Sequence, residues 1–222
     1  MLPKIYRWFL GLMSRPDEKG EYSAGYWQRQ VREAALMLCQ RLRQGRVLEV
    51  GCGEGLFLQA LARQNAGLEI WGVDNNNARL ESAGKRLCRD KFKDIHLALQ
   101  RAEDLDFRDE YFDLVICINV FFNLPSTEVM KQVLGEIKRV CRKSGRVIFD
   151  FRNADNPLLN LKYKLAPYYD STVRDLPLKT YRPREIEMIL KDLNFRILNK
   201  RFIGLALKRY APIIIIEAEK IA

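Results

Sequence analysis

The stretch RVLEVGCGEGLFLQAL, residues 46–61, ends an apolar run in three alternating glycines and then resumes apolar residues at helical spacing. A strand, a glycine turn and a helix in that order bring backbone amides close to a ligand at a helix N-terminus. The dinucleotide fingerprint G-x-G-x-x-G uses its third glycine to pack helix on strand beside a pyrophosphate. Here the spacing is G-x-G-x-G, and Leu56 stands in the place of that third glycine. Glu49 precedes the first glycine by two residues and Glu54 lies inside the turn. A diphosphate would meet carboxylates there, whereas a positively charged ligand is attracted by the same groups. The turn therefore reads as a site for a compact cation.

Outward from this turn the chain alternates strand and helix. Strand-like runs are VLEV (47–50), LEIWGVD (68–74), DIHLALQ (94–100), FDLVICI (112–118) and RVIFDF (146–151), and helical segments fall at about 55–64, 76–90 and 127–142. The third helix shows Val129, Val133, Ile137 and Val140 on one face, with Ser126 as N-cap and Gly145 after its end. Near-continuous apolar strands separated by helices predict a doubly wound α/β domain, its parallel sheet covered on both faces. After a helix at about 183–193, opened by Pro183, come FRILNKRFIG and YAPIIIIEAEK, separated by too few residues for a crossover. The last two of seven strands should therefore pair antiparallel. Residues 152–181 carry three prolines and four tyrosines with little periodicity, and read as an insertion over the sheet.

Before the turn, residues 26–42 place Val31, Ala34, Ala35, Leu38 and Leu42 at helical spacing, and Gly45 stops that helix. Residues 15–25 are a polar loop, and residues 2–13 an amphipathic helix suited either to covering the protein or to a weak contact with a membrane surface. No apolar stretch reaches the roughly 20 residues of a spanning helix, and the N-terminus reads poorly as a secretory signal, so a cytoplasmic address is expected.

Thirty-eight Lys and Arg against 28 Asp and Glu leave a net charge of +10. The basic residues are dispersed, without the aromatic-interleaved block that stacks bases, and nucleic acid is an unlikely partner. The five cysteines lie far apart and form no CxxC pair, which predicts packed, reduced thiols. His96 is the single histidine and falls in mid-strand, so neither a metal site nor a histidine-based nucleophile is expected.

VLEVGCGEG resembles the cofactor motif of class I S-adenosylmethionine-dependent methyltransferases, and the likeness extends over roughly residues 22–219. GVDNNN (72–77) resembles the end of that family's second strand, AEDLDFRDEYFDLVI (102–116) its A-E-x-L-x-F segment, and IKRVCRKSGRVIFDF (137–151) its later helix, turn and fifth strand. The details are most similar to the small-molecule enzymes of quinone biosynthesis, the type 11 methyltransferases. The resemblance implies a Rossmann-like methyltransferase domain over 46–222, with a lid at about 152–181 and a helical cap over 1–45.

It also implies S-adenosyl-L-methionine as methyl donor, S-adenosyl-L-homocysteine as product and a small organic acceptor, apolar or aromatic. Gly51, Gly53 and Gly55 would let the backbone approach the methionine part, with Glu49 near its ammonium. Asp74 would hold the ribose hydroxyls with Asn75 alongside, Ala102 and Glu103 would flank adenine, and Asn119 with Val120 would line the methyl-donor side. Two departures stand out. Gln100-Arg101 replaces the family's G-D, which shifts the adenine-amino contact toward Glu103, and Phe121-Phe122 replaces a common histidine pair.

Methyl transfer is an in-line displacement at a carbon activated by sulfonium, so alignment and exclusion of water supply most of the acceleration. Candidates for a base or for acceptor positioning are Asp150, Asn153, Asp155, Tyr168 and Tyr169, at or beyond the fifth strand, while Tyr22, Tyr26 and Trp27 could close over the cofactor. Two alternatives compete with this reading. One is a nicotinamide-dependent oxidoreductase, the other a non-catalytic or RNA-associated partner subunit on the same fold.

Overall fold

A computed structural model describes residues 26–90, 92, 94–169, 176–204 and 208–221, the side chains of Tyr26, Pro167 and Tyr169 excepted. The expected helix at 2–13, the loop at 15–25 and Tyr22 lie outside the described residues.

Strand β1 (Gly45–Val50) is central, and Val47 to Val50 are all buried. Helix α1 (Tyr26–Cys39) precedes it, and α2 (Leu56–Gln64) follows the glycine turn. The chain continues through β2 (Leu68–Asp74), α3 (Asn77–Arg89), β3 (Ile95–Leu99), β4 (Phe112–Cys117), α4 (Thr127–Val140) and β5 (Cys141–Arg152). It ends with α5 (Pro157–Tyr169), α6 (Pro183–Asp192), β6 (Phe195–Ile203) and β7 (Ile213–Lys220). The seven strands lie in the order β3-β2-β1-β4-β5-β7-β6. β1 pairs in parallel with both β2 and β4, so strand order reverses beside β1, where open sheets of this kind bind ligands. β7 runs antiparallel to both β5 and β6, as the short connection requires.

Alternate residues of the central strands feed two cores. Val47, Leu114, Ile116 and Ile148 pack with Val31 and Leu38 of α1 and Phe57 and Leu61 of α2. Leu48, Val115, Val147 and Phe149 pack on the opposite face with Val133 and Ile137 of α4 and Ile186 and Leu190 of α6. This two-sided burial is why the strands read as apolar runs rather than alternations. At the β3 edge His96 is exposed and stacks on Trp71 at 4.3 Å between ring centroids.

Three details differ from the sequence reading. β5 begins at Cys141 rather than Arg146, because the ladder is irregular there: Phe112 pairs with Cys141 but Leu114 already pairs with Arg146. Cys88 is exposed, unlike the other four cysteines. The insertion contains a 13-residue helix, α5, whose apolar residues lie on both its inner and outer faces and so hide the helical period.

The ends of the insertion are stitched to the sheet. Asn153 and Tyr181 form a parallel bridge, and the Tyr181 hydroxyl donates to Phe121 O at 3.0 Å. Asn153, fully buried, donates from Nδ2 to Arg209 O and Ala211 O, both at 2.9 Å, and accepts from Asp155 N at 2.9 Å. Asn153→Ala leaves those carbonyls without a donor and is expected to lower stability by about 1–3 kcal/mol, read as a lower urea midpoint at constant m-value.

Candidate functional site

The glycine turn is held in place by the end of β2. Gly51 N and Cys52 N both donate to Val73 O, at 2.8 and 2.9 Å, and Gly53 N donates to Asp74 Oδ2 at 2.8 Å. The other oxygen of Asp74 accepts from Asn76 N at 2.9 Å, so one buried carboxylate joins the turn to the start of α3. Each oxygen keeps a further lone pair for a hydroxyl donor. Gly51 and Gly53 both have positive φ, 76° and 53°, the region in which glycine meets no steric penalty.

Beneath the turn opens a cavity at the carboxyl ends of β1 and β4. Glu49, Gly51, Gly53 and Asn119 line it, joined by Phe122 and Asn123 just past β4. Gln28 and Arg32 of α1 close one side and Arg79 of α3 another. Glu49 is 3% exposed, and its Oε2 has no hydrogen-bond partner among the described residues. Asn123 Oδ1 is likewise buried and without a partner. Burial pushes the Glu49 carboxyl well above the usual carboxylate range; Arg32 opposes that shift and Asp74 adds to it. Two orphaned acceptors facing one cavity mark a place where a ligand supplies donors or positive charge.

Asn119 adopts φ 59°, a left-handed conformation that asparagine tolerates better than most residues. The conformation is pinned from behind. Asn119 N donates to Asp150 Oδ1 at 2.5 Å, and Arg152 Nη2 donates to Asn119 Oδ1 at 3.1 Å. Arg152 also pairs with Asp150 Oδ2, stands 4.4 Å over the Phe122 ring and reaches the Tyr163 hydroxyl of α5 at 3.3 Å. Asp150 and Arg152 are both almost fully buried. Burial raises the Asp150 carboxyl, while Arg152 and the Asn119 N–H pull it back.

Of the residues expected from sequence, Glu49, Gly51, Gly53 and Asn119 meet at the cavity, and Asp74 braces it from β2. Gly55 begins α2 and faces Ala83 of α3 instead; a Cβ there would lie 3.0 Å from Ala83 Cβ. Asn75 is exposed beyond β2. Ala102 and Glu103 follow β3 outside the cavity lining, with the Glu103 carboxylate paired to Arg101. Asp150 and Asn153 stand at the end of β5 as expected, with their polar atoms engaged inside the protein. Asp155 is exposed, as is Tyr168 at 86%, and the Tyr169 side chain lies outside the described residues. Asn123 was not singled out from sequence. Its signal was a polar residue following two phenylalanines in NVFFNLP.

Comparison with known proteins agrees with this geometry. Residues 48–149 match the family model described as a methyltransferase domain. A phosphatidylethanolamine N-methyltransferase of Cereibacter sphaeroides is 33% identical over 129 residues, covering 57% of this chain and 61% of that protein. A demethylmenaquinone methyltransferase of Thermotoga maritima is 32% identical over 122 residues, covering 55% of this chain and 48% of that one. The chain thus spans less than two thirds of either relative's length. The crystal structure of magnesium protoporphyrin IX methyltransferase from Synechocystis PCC 6803, solved with bound SAH, superposes with a TM-score of 0.73 at 18% identity, over 98% of this chain and 94% of that one. The glycine turn, the seven-stranded sheet with its reversed last strand and these matches agree: residues 48–149 match a methyltransferase domain, and the fold that carries it is the Rossmann-like fold of the S-adenosylmethionine-dependent methyltransferases.

Proposed function

We propose that the protein transfers a methyl group from S-adenosylmethionine to a small organic acceptor. The observation that carries this reading is the orphaned Glu49 Oε2, a buried acceptor beneath a glycine turn and facing a cavity. An ammonium or sulfonium beside it would supply the missing partner, whereas a diphosphate would add charge of the same sign. The cofactor supplies a methyl carbon that already bears a good leaving group. The protein's part is then to place and to exclude water: Gly51 and Gly53 admit close backbone approach, Asp74 offers lone pairs to a diol, and Asn119 and Phe122 wall the side on which an acceptor would enter. The Asp150–Arg152 pair, held behind that wall, acts as its scaffold. The acceptors in the relatives' names, a phospholipid amine and a quinone precursor, favour an amphiphilic acceptor.

Calorimetric titration with S-adenosylmethionine or S-adenosylhomocysteine tests the reading, and no binding at millimolar ligand would refute it. Between the usual carboxylate range and its raised value, Glu49 is protonated until a cation binds. Cation binding therefore releases a proton, and affinity is expected to rise with pH through that window. The released proton appears as a dependence of the apparent binding enthalpy on the buffer's heat of ionisation, and Glu49→Gln should abolish that dependence. Asp74→Ala and Glu49→Ala should each weaken binding at least about tenfold, a loss of about 1.4 kcal/mol or more. Unchanged affinity in both variants would place the cofactor elsewhere.

A further inference from the structure

The outer face of α5 is unlike the rest of the described surface. Leu158, Leu161, Leu165 and Tyr168 are 65, 54, 47 and 86% exposed, and they recur at helical spacing. At 3.6 residues per turn they fall within an arc of about 80°, with Lys162 and Lys164 about 40° beyond its two edges. The opposite side of the helix is tied to the protein: Ala166 is buried, Asn160 Nδ2 donates to Ala154 O at 2.7 Å, and Tyr163 meets Arg152. The apolar stripe therefore points away from the core, and packing among the described residues does not account for it.

A second basic element stands beside the helix N-terminus. Asn156 Oδ1 accepts from Leu159 N at 2.7 Å in the first turn of α5, and its Nδ2 donates to Tyr210 O. Asn153 holds Arg209 O in the same way. Lys208, Arg209 and Tyr210 are thereby fixed next to α5 with all three side chains exposed. Four basic side chains in these two stretches stand against one acidic residue, Asp155, among the described residues.

We propose that this face docks the protein on an anionic membrane surface. An apolar stripe flanked by lysines lies in the interfacial plane, with leucines among the acyl chains and the lysine stems extended toward the headgroups. No helix among the described residues is long and apolar enough to cross a bilayer, so the contact is peripheral. A second copy of the chain fits the face less well, because self-association would bring the lysine flanks and the 208–210 turn of two +10 chains together. The proposal holds whatever the methyl acceptor is, and its test needs no methyl transfer.

Co-sedimentation of the full chain with vesicles of phosphatidylcholine alone, or of phosphatidylcholine mixed with phosphatidylglycerol, provides that test. The protein should pellet with the anionic vesicles at least about tenfold more strongly. Most of that binding should vanish between about 0.1 M and about 1 M NaCl, as the Debye length falls from about 10 Å to about 3 Å. Leu161→Glu with Leu165→Glu should reduce binding at least about tenfold while leaving the circular dichroism spectrum and Tm unchanged, and the milder pair Leu161→Ala with Leu165→Ala should do so in part. Absence of pelleting at low salt, or glutamate variants that pellet like the wild type, would overturn the proposal. A wild-type dimer in light scattering that the same variants split would overturn it too, assigning the face to a second copy.

Discussion

Replacing Arg152 by methionine is expected to destabilise the fold by about 3–5 kcal/mol at pH 8, since removing one partner of a buried ion pair strands the other charge. The stranded group is Asp150, 1% exposed, whose remaining partner is the Asn119 N–H. For a chain of this length the loss corresponds to a fall in Tm of about 6–20 °C. Its pH dependence identifies the cause. Asp150 already titrates above the usual range through burial, and losing the guanidinium raises it further. A carboxyl whose folded-state pKa is raised stays protonated in the fold but ionises in the unfolded chain, so its stability contribution is present at low pH and lost as pH rises. The variant should therefore be damaged less at pH 5 than at pH 8. Adding Asp150→Asn, which removes the charge and keeps an acceptor for Asn119 N, should recover part of the pH 8 loss and flatten the profile. Denaturant unfolding at the two pH values decides it: a cost below about 1 kcal/mol at both would mean that the pair is solvated rather than buried.

The residues in that experiment also show why sequence reading reached only part of the site. Glu49, Gly51 and Gly53 were legible because strand, turn and helix are adjacent in the chain, and local periodicity fixes what they form together. Asp74 was legible for a similar reason, as the residue ending the second strand. The Asp150–Arg152–Asn119 network is different in kind. Asn119 and Asp150 are 31 residues apart and meet only because β4 and β5 pair in register, with Cys117 beside Phe149. Asp150 read as a candidate base or positioning residue at a strand end and Arg152 was not singled out, whereas β7 on one side and the stitched insertion on the other bury both. Helix α5 escaped notice because period counting assumes one wet face, and here the outward face is apolar as well. The irregular start of β5 escaped it too, since Ser144 at φ 56° carries no sequence mark that separates it from an ordinary turn residue.

Gly51→Ala is expected to cost about 2–5 kcal/mol, the larger share from one contact. With φ 76°, an L-residue loses about 1–2 kcal/mol in the left-handed region whatever surrounds it. In addition the new Cβ would lie 2.3 Å from Val120 Cγ2, so either β1 or the segment after β4 must move, an overpacking penalty of about 1–3 kcal/mol. Gly53 separates the two contributions. Its φ is 53°, but a Cβ there meets nothing within 4 Å, so Gly53→Ala should show the backbone cost alone, about 1–2 kcal/mol. Val120→Ala removes the colliding methyl group, and Gly51→Ala combined with Val120→Ala should be more stable than additivity predicts by about 1–2 kcal/mol. Ligand affinity should separate the pair in the opposite sense. Gly53→Ala adds its methyl group to the cavity wall with the scaffold intact, so its affinity for S-adenosylmethionine should fall by more than its stability loss would suggest. Equal stability losses for the two alanines would mean that Val120 yields freely, and the glycine at 51 would then be required by its backbone angle alone.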